Sequence, residues 1–244
     1  MVNITAKTLP GIFFEQSNSL KDRPLFWIKK EGFWEGVTWS DAAVQVRKLA
    51  SVLQSYGINK GDRVLIASEN RPEWAISDLA IMSLGAIVVP AYTSNTEEDN
   101  NYLLTHSQAK LAITSGGNVA SRLCLAADSN KFIKNIILID AEPENFSVKW
   151  CQLLSWNEEI RKVDIDSKIE KSIEKLSDED VCCFIYTSGT GGRPKGVMLT
   201  HKSIFSNILA CSDVIKDVEI EEKVFLSLLP LSHAYEHTCG FHWP

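Results

Sequence analysis

Hydrophobic positions along the chain follow first a helical period and then a strand-like pattern. Between Ser40 and Tyr56, apolar residues recur at the spacing of one helix face, with Ser40 as the predicted cap and Gly57 as the predicted end. The next segment, Arg63 to Ser68, is short, continuously apolar and partly β-branched, which is typical of a buried strand. The pattern therefore predicts a helix followed by a strand.

The same alternation continues to residue 140 and resumes after residue 180. It predicts further helices at residues 72–84, 96–107 and 201–215, and further strands at residues 86–89, 110–114, 135–140, 181–186 and 223–229. Residues 142–180 are charged and less regular, which indicates a surface connection with short helical pieces. Because strands that alternate with helices indicate a parallel sheet, we predict an α/β fold with αβα layers and mainly parallel sheets. A first subdomain is predicted over residues 1–175 and the start of a second over residues 176–244.

The composition is that of an ordinary globular protein. Of the 244 residues, 45% are hydrophobic and 23% are charged, and 31 acidic residues against 25 lysines and arginines give a net charge of -6. The charges are mixed along the chain without a basic stripe, so a nucleic-acid partner is not predicted. The six cysteines show no CxxC spacing, which favours packed, reduced thiols in a cytoplasmic protein.

The apolar pattern indicates neither a secretory signal nor a membrane span. Residues 1–11 lack a basic region followed by an apolar stretch, which a secretory signal requires. The longest apolar stretch, Trp74 to Tyr92, contains Asp78 and Pro90 and is predicted to divide into a helix and a strand.

The segment with the most specific chemistry is Tyr186 to His201, with the sequence YTSGTGGRPKGVMLTH. It follows a predicted strand and contains glycines, hydroxyl side chains and Lys195. Glycines allow backbone N–H groups to converge on an anion, while the hydroxyls and the lysine add donors and a positive charge. The segment is therefore predicted to bind phosphate groups.

Two other nucleotide-binding patterns do not fit this segment. A Walker A loop has the order Gly, Lys, then Ser or Thr, whereas Lys195 follows Pro194 and precedes Gly196. The chain contains no GxGxxG, so a Rossmann dinucleotide site is not predicted. A flexible, hydroxyl-rich linker is the structural alternative to a phosphate site.

The stretch TSGTGGRPKG closely resembles the phosphate-binding signature TSGTTGxPKG of the AMP-forming adenylating superfamily, which includes acyl-CoA synthetases, luciferases and peptide-synthetase adenylation domains. The resemblance implies that the phosphates of ATP are bound by Thr187, Ser188, Gly189, Thr190, Gly191, Gly192 and Lys195. Gly191 stands where the family usually has Thr, which removes one hydroxyl donor. We expect this difference to weaken phosphate binding without abolishing it.

Two further regions resemble the same family. Residues 61–74 and 85–90 resemble its amino-terminal subdomain, and we interpret them as scaffold. The segment LPLSHAYE, from Leu229 to Glu236, resembles the one that contributes to the acyl and adenylate pocket in long-chain members. The resemblance implies that His233 is a catalytic residue at the carboxylate's approach to the α-phosphate. The alternative is a capping or packed histidine at a strand-to-helix corner.

A rival interpretation of the same segment is a zinc peptidase. Residues His233 to His237 fit the H-x-x-E-H pattern of inverted zinc peptidases. Five residues are a weak signal, and a zinc site needs a third protein ligand, so we predict no metal site in this chain.

The family resemblance implies a two-step reaction on a long-chain fatty acid. ATP with Mg²⁺ converts the carboxylate to an acyl-adenylate, and coenzyme A then displaces AMP. The resemblance also implies that this chain is a partial, amino-terminal part of the enzyme, so we expect the chain alone to be inactive and poorly soluble or partly unfolded. The competing hypothesis is a truncated protein without catalysis. Peripheral contact with a membrane is compatible with a fatty-acid substrate, and no oligomeric state is predicted.

Overall fold

The computed structural model of the chain describes residues 5–130, 132–142, 148–187, 192–215 and 224–243. The strands are β1 (Pro24–Lys30), β2 (Phe33–Thr38), β3 (Arg63–Ala67), β4 (Ile87–Ala91), β5 (Leu111–Thr114), β6 (Asn135–Leu138), β7 (Gln152–Ser155), β8 (Val181–Thr187) and β9 (Lys195–Thr200). The helices are α1 (Leu9–Leu20), α2 (Trp39–Ser55), α3 (Pro72–Ser83), α4 (Glu97–Ser107), α5 (Gly117–Asp128), α6 (Trp156–Lys162), α7 (Lys168–Glu174) and α8 (His201–Ile215), and a π-helix spans Glu236–His242.

Seven strands form one sheet in the order β7-β6-β5-β3-β4-β8-β9. All neighbours in this sheet pair in parallel except β8 and β9, which are antiparallel. Strands β1 and β2 form a separate antiparallel hairpin, which was not predicted. The prediction of a mainly parallel sheet is confirmed.

Helices cover both faces of the sheet. In β3, Val64 and Ile66 pack in one apolar cluster with α1, α2 and α3, whereas Leu65 between them packs in a second cluster with α4 and α5. This separation follows from the strand period of two, which directs successive side chains to opposite faces. Because both faces are covered, the central strands are apolar throughout, and the predicted αβα layering is confirmed.

The region around the sheet edges differs from the prediction. Strand β7 lies inside residues 142–180, which we expected to form only a surface connection, and it pairs with β6. Strand β9 was not predicted at all. The expected strand at 223–229 is wrong for its described part, because residues 224–229 have no strand structure. Strand β8 pairs with β4 and β9 in the same sheet, so a subdomain boundary at residue 175 stays a prediction.

Threonine side chains cap two helices of the scaffold. The amide of Asp41 donates to Thr38 Oγ1 at 3.1 Å, so Thr38 and not Ser40 is the cap of α2. At the start of α4, Thr96 and Asp99 exchange side-chain-to-backbone bonds in a capping box, as the predicted start at residue 96 allows. Ser40 lies inside its helix because the β2 strand ends at Thr38, which moves the helix start two residues earlier.

The long apolar stretch from Trp74 to Tyr92 divides between α3 and β4, as predicted. No helix among the described ranges combines the length and the apolar character that crossing a membrane requires. All six cysteines are free thiols, and four of them are buried. Burial raises the pKa of Cys124 to about 12, which keeps this thiol protonated and unreactive at neutral pH.

Acidification is expected to destabilise the fold through His201, the buried first residue of α8. Its Nδ1 accepts a hydrogen bond from the amide of Leu9 at 3.4 Å, and burial lowers its pKa to about 4. The pKa of His201 is lower in the folded than in the unfolded chain. The stability that its neutral imidazole contributes is therefore complete above pH 6.5 and is lost as the pH falls towards 4. Lowering the pH from 7 to 5 should therefore reduce the free energy of unfolding by on the order of 2 kcal/mol through this residue.

Urea denaturation at the two pH values measures this effect. The variant His201→Asn keeps an acceptor near the position of Nδ1 but cannot be protonated, so it should lose less stability than the parent chain at pH 5. An equal loss in both proteins would show that His201 is not the group responsible.

Candidate functional site

The carboxyl ends of the parallel strands meet at one edge of the sheet, where ligands bind in open α/β sheets. Residues after β3 and β4 form one side of a cleft at this edge, and the segment before the π-helix forms the other. The cleft is lined by Ser68, Glu69, Asn70, Thr93, Ser227, Leu228, Pro230 and Ser232. Strand β8 lies next to β4 and ends at the same edge with Thr187.

The predicted phosphate-binding turn connects β8 to β9. Ser188, Gly189, Thr190 and Gly191 lie outside the described residues. Thr187 and Lys195 pair across the two antiparallel strands, and both are exposed. Gly192 has a φ of 92°, a conformation that glycine adopts readily, and a Cβ at this position would meet no other atom within 4 Å. The described ends of the turn therefore place Thr187 and Lys195 opposite each other on neighbouring strands, with both residues exposed.

Aromatic residues of α4 support the return strand of this turn. The hydroxyl of Tyr102 donates to the carbonyl of Pro194 at 2.8 Å, and the guanidinium carbon of Arg193 lies 5.7 Å from the centre of the Tyr102 ring. Tyr102 thus contacts two residues of the turn directly. Sequence reasoning missed this tyrosine, because nothing in its neighbours marks it as a long-range contact.

Tyr186 of β8 is the second aromatic support. Burial and the neighbouring Tyr102 raise the pKa of Tyr186 to about 12, so its hydroxyl stays protonated, and it lies 2.8 Å from His106 Nδ1. A Cβ on Gly196 would lie 3.1 Å from Cζ of Tyr186, so the glycine allows β9 to approach the ring closely. These contacts fix the direction in which the turn leaves and re-enters the sheet.

Asn70 holds the opposite wall of the cleft in place. Its Nδ2 donates to the Ser227 hydroxyl and to the Leu229 carbonyl, both at 2.7 Å, and its Oδ1 accepts from the amide of Leu231 at 2.9 Å. We interpreted residues 61–74 as scaffold. Asn70, which belongs to this segment, supports the cleft wall through these bonds and also lines the cleft itself. The residue fixes the segment that includes LPLSHAYE.

His233, the predicted catalytic residue, is exposed. Its Nδ1 accepts a hydrogen bond from the amide of Tyr235 at 3.2 Å, which corresponds to the capping role that we considered as an alternative. The neighbouring Pro230 and Ser232 line the cleft. A role for His233 in the acyl and adenylate pocket stays a prediction.

The side chains of the H-x-x-E-H pattern do not converge. His233 is exposed, His237 is fully buried, and Glu236 accepts a hydrogen bond from the Ser227 hydroxyl at 2.7 Å. Among the described residues, His237 lies instead with Asp78 of α3 and His242 in a group of side chains that could hold a metal. Within the described ranges, the peptidase alternative therefore has no assembled site.

Asp78 and the two histidines form a polar cluster inside the protein. His237 Nε2 lies 2.9 Å from Asp78 Oδ1, and His242 Nε2 lies 3.2 Å from Asp78 Oδ2. Burial raises the pKa of Asp78, but the neighbouring imidazoles of His237 and His242 outweigh burial and hold it at about 2. Burial also lowers the pKa of His242, despite its contact with the carboxylate. At neutral pH the cluster therefore contains an ionised carboxylate and a neutral His242.

Comparison with known proteins shows the family to which this chain belongs. The chain is 34% identical over 227 residues to fatty acyl-CoA synthetase A of Dictyostelium discoideum. The aligned region covers 90% of this chain and 33% of that protein. It is 30% identical over 223 residues to the long-chain-fatty-acid–CoA ligase FadD15 of Mycobacterium tuberculosis, covering 91% of this chain and 36% of that protein. The chain thus spans about a third of the length of these relatives.

Solved structures share the fold. The amino-terminal domain of FACL13 from Mycobacterium tuberculosis matches 98% of this chain and 55% of its own length, with a TM-score of 0.73 and 22% identity. A benzoate CoA ligase from Burkholderia xenovorans LB400 matches 97% of this chain and 43% of its own, with a TM-score of 0.76 and 21% identity. The model of the family described as AMP-binding enzyme matches residues 13–244, and the chain therefore belongs to the AMP-binding enzyme family.

Proposed function

We propose that this chain forms the amino-terminal part of the active site of an AMP-forming ligase that activates a long-chain fatty acid. The observation that carries the proposal is the turn from β8 to β9, in which Thr187 and Lys195 pair at the carboxyl edge of the sheet. Its sequence, TSGTGGRPKG, resembles the phosphate-binding signature of the family. The names of the relatives, fatty acyl-CoA synthetase and long-chain-fatty-acid–CoA ligase, support the substrate class.

In the proposed reaction, the fatty-acid carboxylate attacks the α-phosphate of ATP, and the thiol of coenzyme A then displaces AMP. Lys195 and the backbone amides of the turn bind the β- and γ-phosphates, so that the charge that develops on pyrophosphate is neutralised. Mg²⁺ bound to the same phosphates would supply further positive charge. Binding in a fixed position lowers the entropic part of the barrier.

The cleft beside the turn is the proposed approach for the fatty acid. Asn70 fixes the wall that carries Leu228 and Pro230, and both of these residues line the cleft. Leu228 and Pro230 supply apolar surface within a mostly polar lining, which suits a substrate with one charged end and a long hydrocarbon chain. The residues that bind adenine and ribose are not assigned in this chain, and we propose that turnover requires the polypeptide that corresponds to the rest of its relatives.

A chimaera tests the proposal. We would replace the matching third of the Dictyostelium fatty acyl-CoA synthetase A with this chain and measure palmitate-dependent exchange of pyrophosphate into ATP. The chimaera should catalyse exchange, and Lys195→Ala should lower kcat/KM for ATP by about 100-fold, because one preorganised positive charge on the phosphates is lost.

The matched control is Lys202→Ala. Lys202 is also exposed but lies on α8 in an ion pair with Glu179, so exchange should be unchanged within about twofold. A chimaera that unfolds cooperatively yet catalyses no exchange would contradict the proposed activity. Equal rates for the Lys195 variant and its parent would remove Lys195 from the site.

A further inference from the structure

The buried cluster of Asp78, His237 and His242 takes no part in the proposed reaction. The side chains of Asp78 and His237 are 0% exposed and that of His242 is 5% exposed. Asp78 comes from α3, whereas both histidines come from the π-helix. One carboxylate and two imidazoles thus meet between two helices, and none of these three residues lines the cleft.

The π-helix is what brings the two histidines together. Residues five apart in an α-helix are rotated by about 140° and face different directions. In a π-helix the hydrogen bonds run between residues five apart, so such side chains lie on one face. The ring centres of His237 and His242 are accordingly 4.7 Å apart. Turns of this type occur frequently at functional sites.

The polar atoms of the cluster are incompletely satisfied by the protein. Asp78 Oδ2 and His242 Nε2 are both buried and lie 3.2 Å apart, a close polar contact whose geometry is too poor for a regular hydrogen bond. A buried polar atom without a partner costs about 1–3 kcal/mol, so two facing each other call for an explanation. A cation bound between them would satisfy both atoms at once.

We propose that Asp78, His237 and His242 bind a divalent transition-metal ion, with Zn²⁺ as the best match. Two imidazole nitrogens and one carboxylate oxygen are a common protein ligand set for zinc. One ligand atom from each residue lies within 4.8 Å of the others, and the two contacts to Asp78 are 2.9 and 3.2 Å. Ligand atoms at about 2.1 Å from a tetrahedral ion are separated by about 3.4 Å from one another. Small shifts of these side chains would therefore bring their ligand atoms to the separation that the ion requires.

The charges at the cluster suit this ion. A carboxylate supplies negative charge to the ion, and imidazole nitrogens supply the lone pairs that a metal requires. The three ligands of a bound ion would come from two elements, α3 and the π-helix. The ion fastens the π-helix to α3, and through the π-helix it stabilises the segment 227–232 that lines the cleft.

Metal analysis of the refolded chain tests the proposal. Because the site is buried, Zn²⁺ is supplied during refolding, and exchangeable metal is then removed by a short treatment with EDTA. We expect about one zinc per chain by mass spectrometry of the metal, and a higher Tm than for chain refolded without metal. His242→Phe should abolish both effects, whereas the exposed histidine replaced in His233→Phe should leave both unchanged.

X-ray absorption at the zinc edge of the unsubstituted chain makes the test independent of how the variants fold. The proposal predicts nitrogen and oxygen neighbours at about 2.0–2.1 Å, with the multiple scattering of imidazole. Sulfur neighbours at about 2.3 Å would assign the metal to cysteines and would overturn the proposal. Retention of no zinc after refolding, or equal zinc content in the two histidine variants, would also overturn it.

Discussion

Replacing His237 with leucine is expected to lower the free energy of unfolding by about 3–5 kcal/mol, even when EDTA removes any metal. The substitution leaves the Asp78 carboxylate buried without its hydrogen-bond partner at 2.9 Å. Because the neighbouring histidines overcome burial to hold the pKa of Asp78 at about 2, the folded chain contains the charged form at neutral pH. Urea denaturation followed by circular dichroism measures the loss.

A second substitution distinguishes the destabilising effect of the unpaired Asp78 carboxylate from that of lost side-chain packing. Adding Asp78→Asn to His237→Leu neutralises the carboxylate, so the double variant should recover part of the lost stability. His233→Leu changes an exposed histidine of the same segment and removes only its capping bond to the Tyr235 amide, so it should cost about 1 kcal/mol. If His237→Leu cost no more than His233→Leu, the buried pair would not be holding the π-helix to α3.

Trp74→Ala should cost about 3–5 kcal/mol, because it empties a large volume in the core. Trp74 lies on α3 and is 0% exposed. Its ring packs edge-on against His237 and Phe241, with centroid distances of 5.6 and 6.2 Å, so the cavity would open between α3 and the π-helix. The measurement is the same urea transition.

The matched variant is Trp74→Phe. Trp74 Nε1 is buried and has no hydrogen-bond partner among the described residues, so removing the indole N–H sacrifices no bond. The phenyl ring also fills part of the volume, and the loss should be clearly smaller than for alanine. Equal losses for the two variants would show that the site does not depend on aromatic packing.

The alternation of strands and helices between residues 63 and 114, and the later strand β6, could be predicted from the sequence, whereas helix α5 between β5 and β6 was not predicted. Strands such as β3 and β4 are buried on both faces and are therefore apolar throughout, which distinguishes them from the amphipathic α2. Helix ends were harder, because a cap depends on local geometry. Thr38 and Ser40 are equally suitable by residue type, and the end of β2 decides between them.

The sheet edge could not be predicted in the same way. Strand β9 carries Lys195, Gly196 and partly exposed apolar residues, so it lacks the continuous burial that marks the central strands. Residues 224–229 have the apolar composition of a strand, yet Leu226 and Leu228 are each 77% exposed and no strand forms there. Composition alone does not distinguish an apolar segment that pairs from one that does not.

The part of the candidate site that lies in one continuous segment could be proposed from the sequence. The parts that are assembled from residues distant in the chain could not. The turn after β8 is one continuous motif, and its glycines and lysine indicate phosphate without any tertiary information. Asn70 and Tyr102 act through contacts with residues more than 90 positions away in the chain. The spacing of His237 and His242 would separate them on an α-helix, so only the π-helix reveals that they are neighbours.

We expect the turn between β8 and β9 to bind the phosphates of a nucleotide. Titration of the ¹⁵N-labelled chain with MgATP, followed by amide NMR spectra, tests it directly. We expect saturable shifts for the amides of Thr187, Gly192, Arg193, Lys195 and Gly196, no shifts in the β1–β2 hairpin, and weaker binding in Lys195→Ala. Shifts that avoid the turn, or the same affinity in Lys195→Ala and the parent chain, would contradict it.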